Sequence, residues 1–168
     1  MIAWLGARPA TRHNFVRLLK RGSVAVLVGG IAEMFMQDSK RERLMLRSRK
    51  GFTRVAVETG APIVPVYHFG NSRAFDFGPS FLMPHARRIG AALGVLIGRW
   101  GLPVPRRVPF MMVSGKPIAV EKVARDDPRF HAVVDETHAR VVKELQALYE
   151  RNRAKYDPSW ADRPLSIE

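Results

Sequence analysis

The sequence contains no cysteine. Disulfides, thiolate metal sites and a cysteine nucleophile are therefore excluded. Long hydrophobic runs are missing too. The longest, Ile89 to Gly98, is bounded by Arg87, Arg88 and Arg99. Ten residues of helix reach about 15 Å, half a bilayer core, so this run suits an interfacial or a buried helix rather than a span. Acidic side chains are scarce: 15 Asp+Glu stand against 28 Lys+Arg. No Gly-x-Ser-x-Gly elbow, Walker loop, three-glycine dinucleotide fingerprint or zinc-peptidase histidine pair occurs, so none of those chemistries, and no metal site, is expected.

What is present fits one α/β domain. The chain has 168 residues, an apolar fraction of 46%, and 13 Gly with 12 Pro. That is too apolar for global disorder and too varied for a low-complexity chain. The net charge of +13 calls for an anionic partner: nucleic acid, an anionic membrane surface or a phosphorylated substrate. The charge is uneven. Residues 1–60 carry +8, residues 61–120 carry +6 with Asp76 as their single carboxylate, and residues 121–168 carry −1. Met1 to Ala10 begins apolar, but Arg8, Arg12 and Arg17 follow, so it reads as the end of a helix from a longer pattern rather than a targeting segment.

Periodicity predicts alternating helices and buried strands. Asn14 to Lys20 reads as an amphipathic helix ended by Gly22. Ser23 to Val28 reads as a buried strand leading into the Gly29-Gly30 turn. Arg49 to Thr59 is a helix with Phe52, Val55, Ala56 and Thr59 on one face, ended by Gly60. Ala61 to Phe69 is a second strand, with an edge or bulge at Pro65. Pro109 to Ser114 is a third. Phe130 to Arg153 is a helix whose inner face is Val134, Thr137, His138, Val141, Leu145, Leu148 and Tyr149. This order predicts a mainly parallel sheet flanked by helices. Residues 157–168, with two prolines and no apolar period, read as a loose C-terminal tail.

Three constellations carry possible chemistry. Gly29-Gly30-Ile31-Ala32-Glu33 follows a strand, where ligands gather in α/β sheets. It reads equally as a ligand-facing turn, with Glu33 accepting a hydrogen bond, or as a tight turn with a solvated acid. Lys40, Arg41, Arg43, Arg47, Arg49, Lys50 and Arg54 are balanced only by Glu42. Such a cluster reads either as a solvated face or, with backbone donors of the following helix, as a phosphate site. His68, in Tyr67-His68-Phe69-Gly70-Asn71, stands at a strand end, where a structural or a catalytic imidazole would fit. His131 and Asp135 are four apart, one short of the His-four-Asp spacing of many glycerolipid acyltransferases, and nothing around them repeats that motif.

Taken in order, the blocks Gly29-Gly30-Ile31-Ala32-Glu33, Arg49-Lys50-Gly51-Phe52-x-Arg54-x-Ala56, Pro65-Val66-Tyr67-x-Phe69-Gly70-Asn71 and Gly115-Lys116-Pro117-Ile118 resemble the type-2 diacylglycerol acyltransferase family, which includes monoacylglycerol and wax-ester acyltransferases. The closing Leu148-Tyr149-Glu150-x-x-Arg153-x-Lys155-Tyr156 is similar to its C-terminal segment. The resemblance covers about residues 8–157 and implies a glycerolipid-acyltransferase-like fold, incomplete at its N-terminus, with residues 1–156 as the C-terminal part of one acyltransferase domain. The reaction implied is transfer of a fatty acyl group from acyl-CoA to the hydroxyl of diacylglycerol or a related lipid alcohol, giving triacylglycerol or a similar neutral lipid. Acyl-CoA enters as substrate and no cofactor is implied.

In the family a histidine of an upstream His-Pro-His-Gly block is the general base. That block is absent from these 168 residues, so the resemblance assigns no catalytic residue here and implies that this chain alone is inactive. It does assign substrate-binding positions. Glu33 matches the acid of the Gly-Gly-x-x-Glu block, Gly29 and Gly30 let the chain turn there, and Arg49 and Lys50 match the block best placed for CoA phosphates. His68 stands where members vary. The implied partners are acyl-CoA, a lipid acceptor and a membrane surface, without nucleic acid; the implied location is a membrane, the endoplasmic reticulum in a eukaryote. Phe81 to Val104, with its flanking arginines, reads as an interfacial helix or a buried core helix. The alternative class is a non-enzymatic basic module for anionic lipid or nucleic acid, which explains +13 but not the ordered blocks.

Overall fold

The computed structural model describes residues 8–29, 42–78 and 95–168. Gly30, Glu33, Lys40, Arg41, His85 and most of the 89–98 run lie outside the described residues. Helix α1 (Arg12–Leu19) starts two residues before the expected Asn14, because the Thr11 hydroxyl accepts from the Asn14 amide at 3.3 Å and caps it. Residues 23–28 carry no helix or strand, with Val24, Ala25, Val26, Leu27 and Val28 alternating between half-buried and exposed. The expected buried strand thus joins no ladder among the described residues, and Leu27 is 94% exposed.

Strand β1 (Glu42–Leu44) leads into α2 (Gly51–Thr59), which ends where Gly60 turns left-handed at φ 74° and returns its amide to the Ala56 carbonyl at 2.7 Å. The buried residues of α2 are Thr53, Val55, Ala56 and Val57. Of the expected face, Val55 and Ala56 are buried, Phe52 is half-buried against the core and Thr59 is half-buried; Thr53 and Val57 are buried besides, because α2 is packed on two sides, against α1 and against the long C-terminal helix.

Strand β2 (Val66–Phe69) begins only after Pro65, which has no amide to donate. Its carbonyl still accepts from Gly115 at 2.8 Å, and Ile63 pairs with Ile118 beyond the gap. After β2 come α3 (Asn71–Ala74), β3 (Asp76–Gly78), β4 (Val95–Ile97) and β5 (Met111–Ser114). Gly70 turns the chain at φ 99°, where a Cβ would lie 2.4 Å from the Pro109 carbonyl oxygen. Helix α4 (Phe130–Tyr156) buries all seven expected inner residues together with Phe130. Strand β6 (Leu165–Ile167) closes the chain.

The pairings correct the expected sheet. Among the described residues, β1 and β6 are parallel, whereas β2 with β5 and β3 with β4 are antiparallel. The structure is a mixed α/β arrangement, but the sheets are not mainly parallel. Alternation of helix and strand identifies segments, not partners: β1 precedes α2 and β2, yet pairs with the last strand. Residues 157–168 are likewise not a loose tail. Trp160 is 1% exposed, Leu165 and Ile167 are buried, and the Glu168 carbonyl accepts the Leu46 and Arg47 amides at 2.8 Å each. The core lies between α4 and these strands. Phe69 is centred in it, with ring centroids of Tyr67, Tyr149 and Tyr156 at 4.6, 5.5 and 5.3 Å. In the described part of the expected 81–104 helix, Val95–Ile97 is strand and Arg99–Gly101 is a single 3-10 turn, so no α-helix forms there. Among the described residues no helix is long and apolar enough to cross a membrane.

Candidate functional site

The chain between β1 and α2 is a tight turn. The Arg49 amide donates to the Leu46 carbonyl at 2.9 Å, which sets Lys50 at the helix N-cap. Lys50 offers no side-chain cap, so the first amides of α2 keep their donor capacity. The residues that carry them line a cavity of about 460 Å³. The start of α2 supplies Arg49, Lys50, Gly51 and Phe52, its body supplies Arg54 and Glu58, α1 supplies Arg12 and Phe15, and residues 26–28 and Arg125 also line the wall.

Five cations and one carboxylate line this space. Arg12 neutralises Glu58, with Nε donating to Oε2 at 2.9 Å and a second contact from Nη2. The Arg12 hydrogen bond holds the Glu58 carboxyl below its ordinary range against the opposing effect of burial. The Lys50 ammonium donates to Asp135 on α4 at 2.8 Å, and this bond lowers the Asp135 pKa. Arg49 and Arg54 have no carboxylate partner among the described residues, and Arg125 acts on Glu58, which Arg12 already neutralises. Unbalanced cations beside free helix-end amides attract a multiply charged anion.

Arg49 and Lys50 therefore stand together on the cavity wall. Gly29 is buried one residue beyond Val28, which lines the cavity. Gly30 and Glu33 lie outside the described residues. His68 does not line the cavity; it is exposed on β2, opposite Met112. Of the four sequence blocks, the third and fourth meet each other, through the Gly115–Pro65 bond, and do not line the cavity.

One buried polar group escaped the sequence reading, and a second was expected on an inner face but without its partners. Glu42 looked like the counter-charge of a basic run, but it is buried. It accepts from the Tyr67 hydroxyl at 2.9 Å and from the Ser72 hydroxyl, and faces Arg163 at 3.3 Å. Arg163 in turn lies 4.2 Å over the Trp160 ring. Burial, then the Glu42 charge, pushes the Tyr149 phenol up to about 12, and its hydroxyl donates to the Arg163 carbonyl at 2.9 Å. A lone acid in a run of cations was the available signal.

The second is His138, expected on the inner face of α4. Its Nδ1 lies 3.2 Å from the Thr53 hydroxyl, and its ring packs 5.8 Å from Phe52. Burial lowers its pKa, with the Lys50 charge acting the same way and the Leu46 carbonyl opposing. The unfolded chain then binds a proton that the folded chain does not. Stability is full above about pH 6.5 and declines as pH falls toward the depressed folded pKa. The lowered carboxylates Glu58 and Asp135 titrate at lower pH and do not obscure this window. The thermal midpoint is expected to fall between about pH 7 and pH 5, and His138→Gln is expected to flatten that slope; an equal slope in the variant would assign it elsewhere.

Comparison with known proteins places the chain. The family model described as diacylglycerol acyltransferase matches residues 1–167, and the chain belongs to that family. It is 33% identical over 174 residues to diacylglycerol O-acyltransferase 1 of Saccharomyces cerevisiae, covering 90% of this chain and 40% of the yeast protein. It is 29% identical over 177 residues to diacylglycerol O-acyltransferase 2 of Danio rerio, covering 94% and 48%, and 29% over 170 residues to diacylglycerol O-acyltransferase 2 of Homo sapiens, covering 90% and 43%. The chain thus spans less than half the length of these relatives. No solved structure matches it.

Proposed function

We propose that this chain forms the acyl-donor-binding part of an O-acyltransferase that moves a fatty acyl group from acyl-CoA to the hydroxyl of diacylglycerol or a related lipid alcohol. The observation that carries this reading is the cationic cavity at the start of α2, in a chain of the diacylglycerol acyltransferase family. The diphosphate and ribose phosphate of CoA match its excess of arginine and lysine and its uncapped amides. Phe15 and Phe52 offer apolar surface to the adenine.

Chemistry at the thioester requires a base for the acceptor proton. Among the described residues no histidine lines the cavity: His138 is buried on Thr53, and His68 is exposed on β2. The base is assigned to the family's His-Pro-His-Gly block, which the 168 residues do not include. A polypeptide of these residues alone is therefore expected to bind acyl-CoA without transferring its acyl group. The decisive measurement pairs acyl-CoA binding, competed by adenosine 3′,5′-bisphosphate, with an assay of acyl transfer to diacylglycerol. Transfer by the 168 residues would place the base within them. Absence of CoA binding would remove the donor site from this cavity.

A further inference from the structure

We infer that the turn from Arg99 to Val104, with the exposed apolar side chains that follow it to Met112, docks on an anionic lipid surface. The turn is held in shape. Gly98 donates its amide to the Leu102 carbonyl at 2.8 Å and Arg99 to the Val104 carbonyl at 2.7 Å. Gly98 is backed so closely by the Val104 carbonyl that a Cβ there would collide with it. At the tip, Trp100 adopts φ 57°, the one positive φ of a non-glycine residue among the described residues. A bulky side chain occupies that region only under strain. Here the strain serves no packing, because Trp100 is 75% exposed.

The surroundings name the occupant. Leu102, Val104, Phe110 and Met112 are also exposed large apolar residues. The Arg99 guanidinium lies 4.1 Å over the Trp100 ring, Arg107 is exposed, and the neighbouring Arg106 is tied down by Asp76 at 2.5 Å. Asp76 is the only carboxylate between residues 61 and 120, so this segment itself brings no free negative charge to repel lipid headgroups. An indole beside an arginine, raised on a fixed turn, suits the headgroup boundary, where the ring meets acyl chains and the guanidinium meets phosphate. A flat protein partner would leave such a projecting tip unfilled. The inference deepens the acyltransferase reading, since a lipid acceptor is met at a membrane, but its test is separate from acyl-CoA binding.

The purified protein is mixed with vesicles of phosphatidylcholine, with or without about one-third phosphatidylglycerol, and partition is measured by co-sedimentation. Binding is expected to the anionic vesicles and to weaken with salt. Trp100→Gly removes the ring and relieves the positive φ. It is expected to lower partition about tenfold or more, with a thermal midpoint at or above the parent's and unchanged acyl-CoA binding. Trp100→Phe is expected to keep most of the partition, while the part of the emission quenched by brominated lipid disappears. Parent-like partition of Trp100→Gly overturns the inference. So does parent emission that brominated lipid leaves unquenched. Shielding of Trp100 from aqueous acrylamide without vesicles would assign the patch to protein instead. If acyl-CoA binding fails while vesicle binding behaves as stated, the function reading falls and this one stands.

Discussion

Glu42→Ala is expected to destabilise the fold by about 3–5 kcal/mol, the usual cost of breaking a buried ion pair from one side. The carboxylate is 8% exposed and gathers three donors from distant parts of the chain. Tyr67 comes from β2, Ser72 from α3, and Arg163 from the segment after α4. Removing it withdraws the acceptor from two hydroxyls and leaves the Arg163 charge, itself nearly buried, without Glu42. The strand pair β1–β6 loses its polar anchor at the same time, since Glu42 is the residue opposite Leu165 in that ladder. The expected readout is a fall of roughly 6–20 °C in the thermal midpoint. Glu42→Gln keeps acceptor capacity and should cost clearly less. Replacing both charges together, Glu42→Leu with Arg163→Met, should recover much of the loss, because no uncompensated charge then remains. A change below about 1 kcal/mol in Glu42→Ala would show that water screens the pair and that packing alone holds the C-terminal strand.

That network also marks where the sequence stops being readable. Helix α4 was legible down to single residues because 27 residues give many turns of one repeating face. The C-terminal end of α2 was legible because Gly60 is a local signal, whereas its start falls at Gly51, two residues after the expected Arg49. β1 and β6 were not, since three residues are too few for a period and their partnership spans most of the chain. The prolines at 158 and 164 suggested looseness, yet Pro158 opens a short helical turn whose Asp157 side chain accepts from the Ser159 amide at 2.9 Å, and that turn delivers Trp160 to the core. Direction of pairing was equally hidden: nothing local to Val66–Phe69 says that Met111–Ser114 runs against it. In the candidate site, Arg49 and Lys50 were visible as a dense run of charge. Arg12, Arg125 and Phe15, which share their cavity, come from segments that only the folded chain brings near.

This difference gives the cavity its sharpest test. Arg49→Ala is expected to weaken acyl-CoA binding about 10- to 100-fold, the range of one charge-assisted hydrogen bond to phosphate of roughly 1.5–3 kcal/mol. The fold should be untouched, because Arg49 is exposed, has no carboxylate partner among the described residues, and lies outside the buried face of α2. Lys50 shares its ammonium with Asp135, so Lys50→Ala alone should weaken binding less. The pair Arg49→Ala and Lys50→Ala should reach about 100-fold or beyond and reduce the salt dependence of binding, since fewer cations then meet the phosphates. Arg151, which pairs with Glu144 on the surface of α4 and does not line the cavity, supplies the control. Arg151→Ala removes the same charge from the protein and should leave affinity unchanged. If it weakens binding as much as Arg49→Ala, the ligand feels only the net charge of +13 and the cavity has no special claim. If Arg49→Ala alone acts, the anion is held at the start of α2, where the sequence concentrates its cations and the fold leaves its amides open.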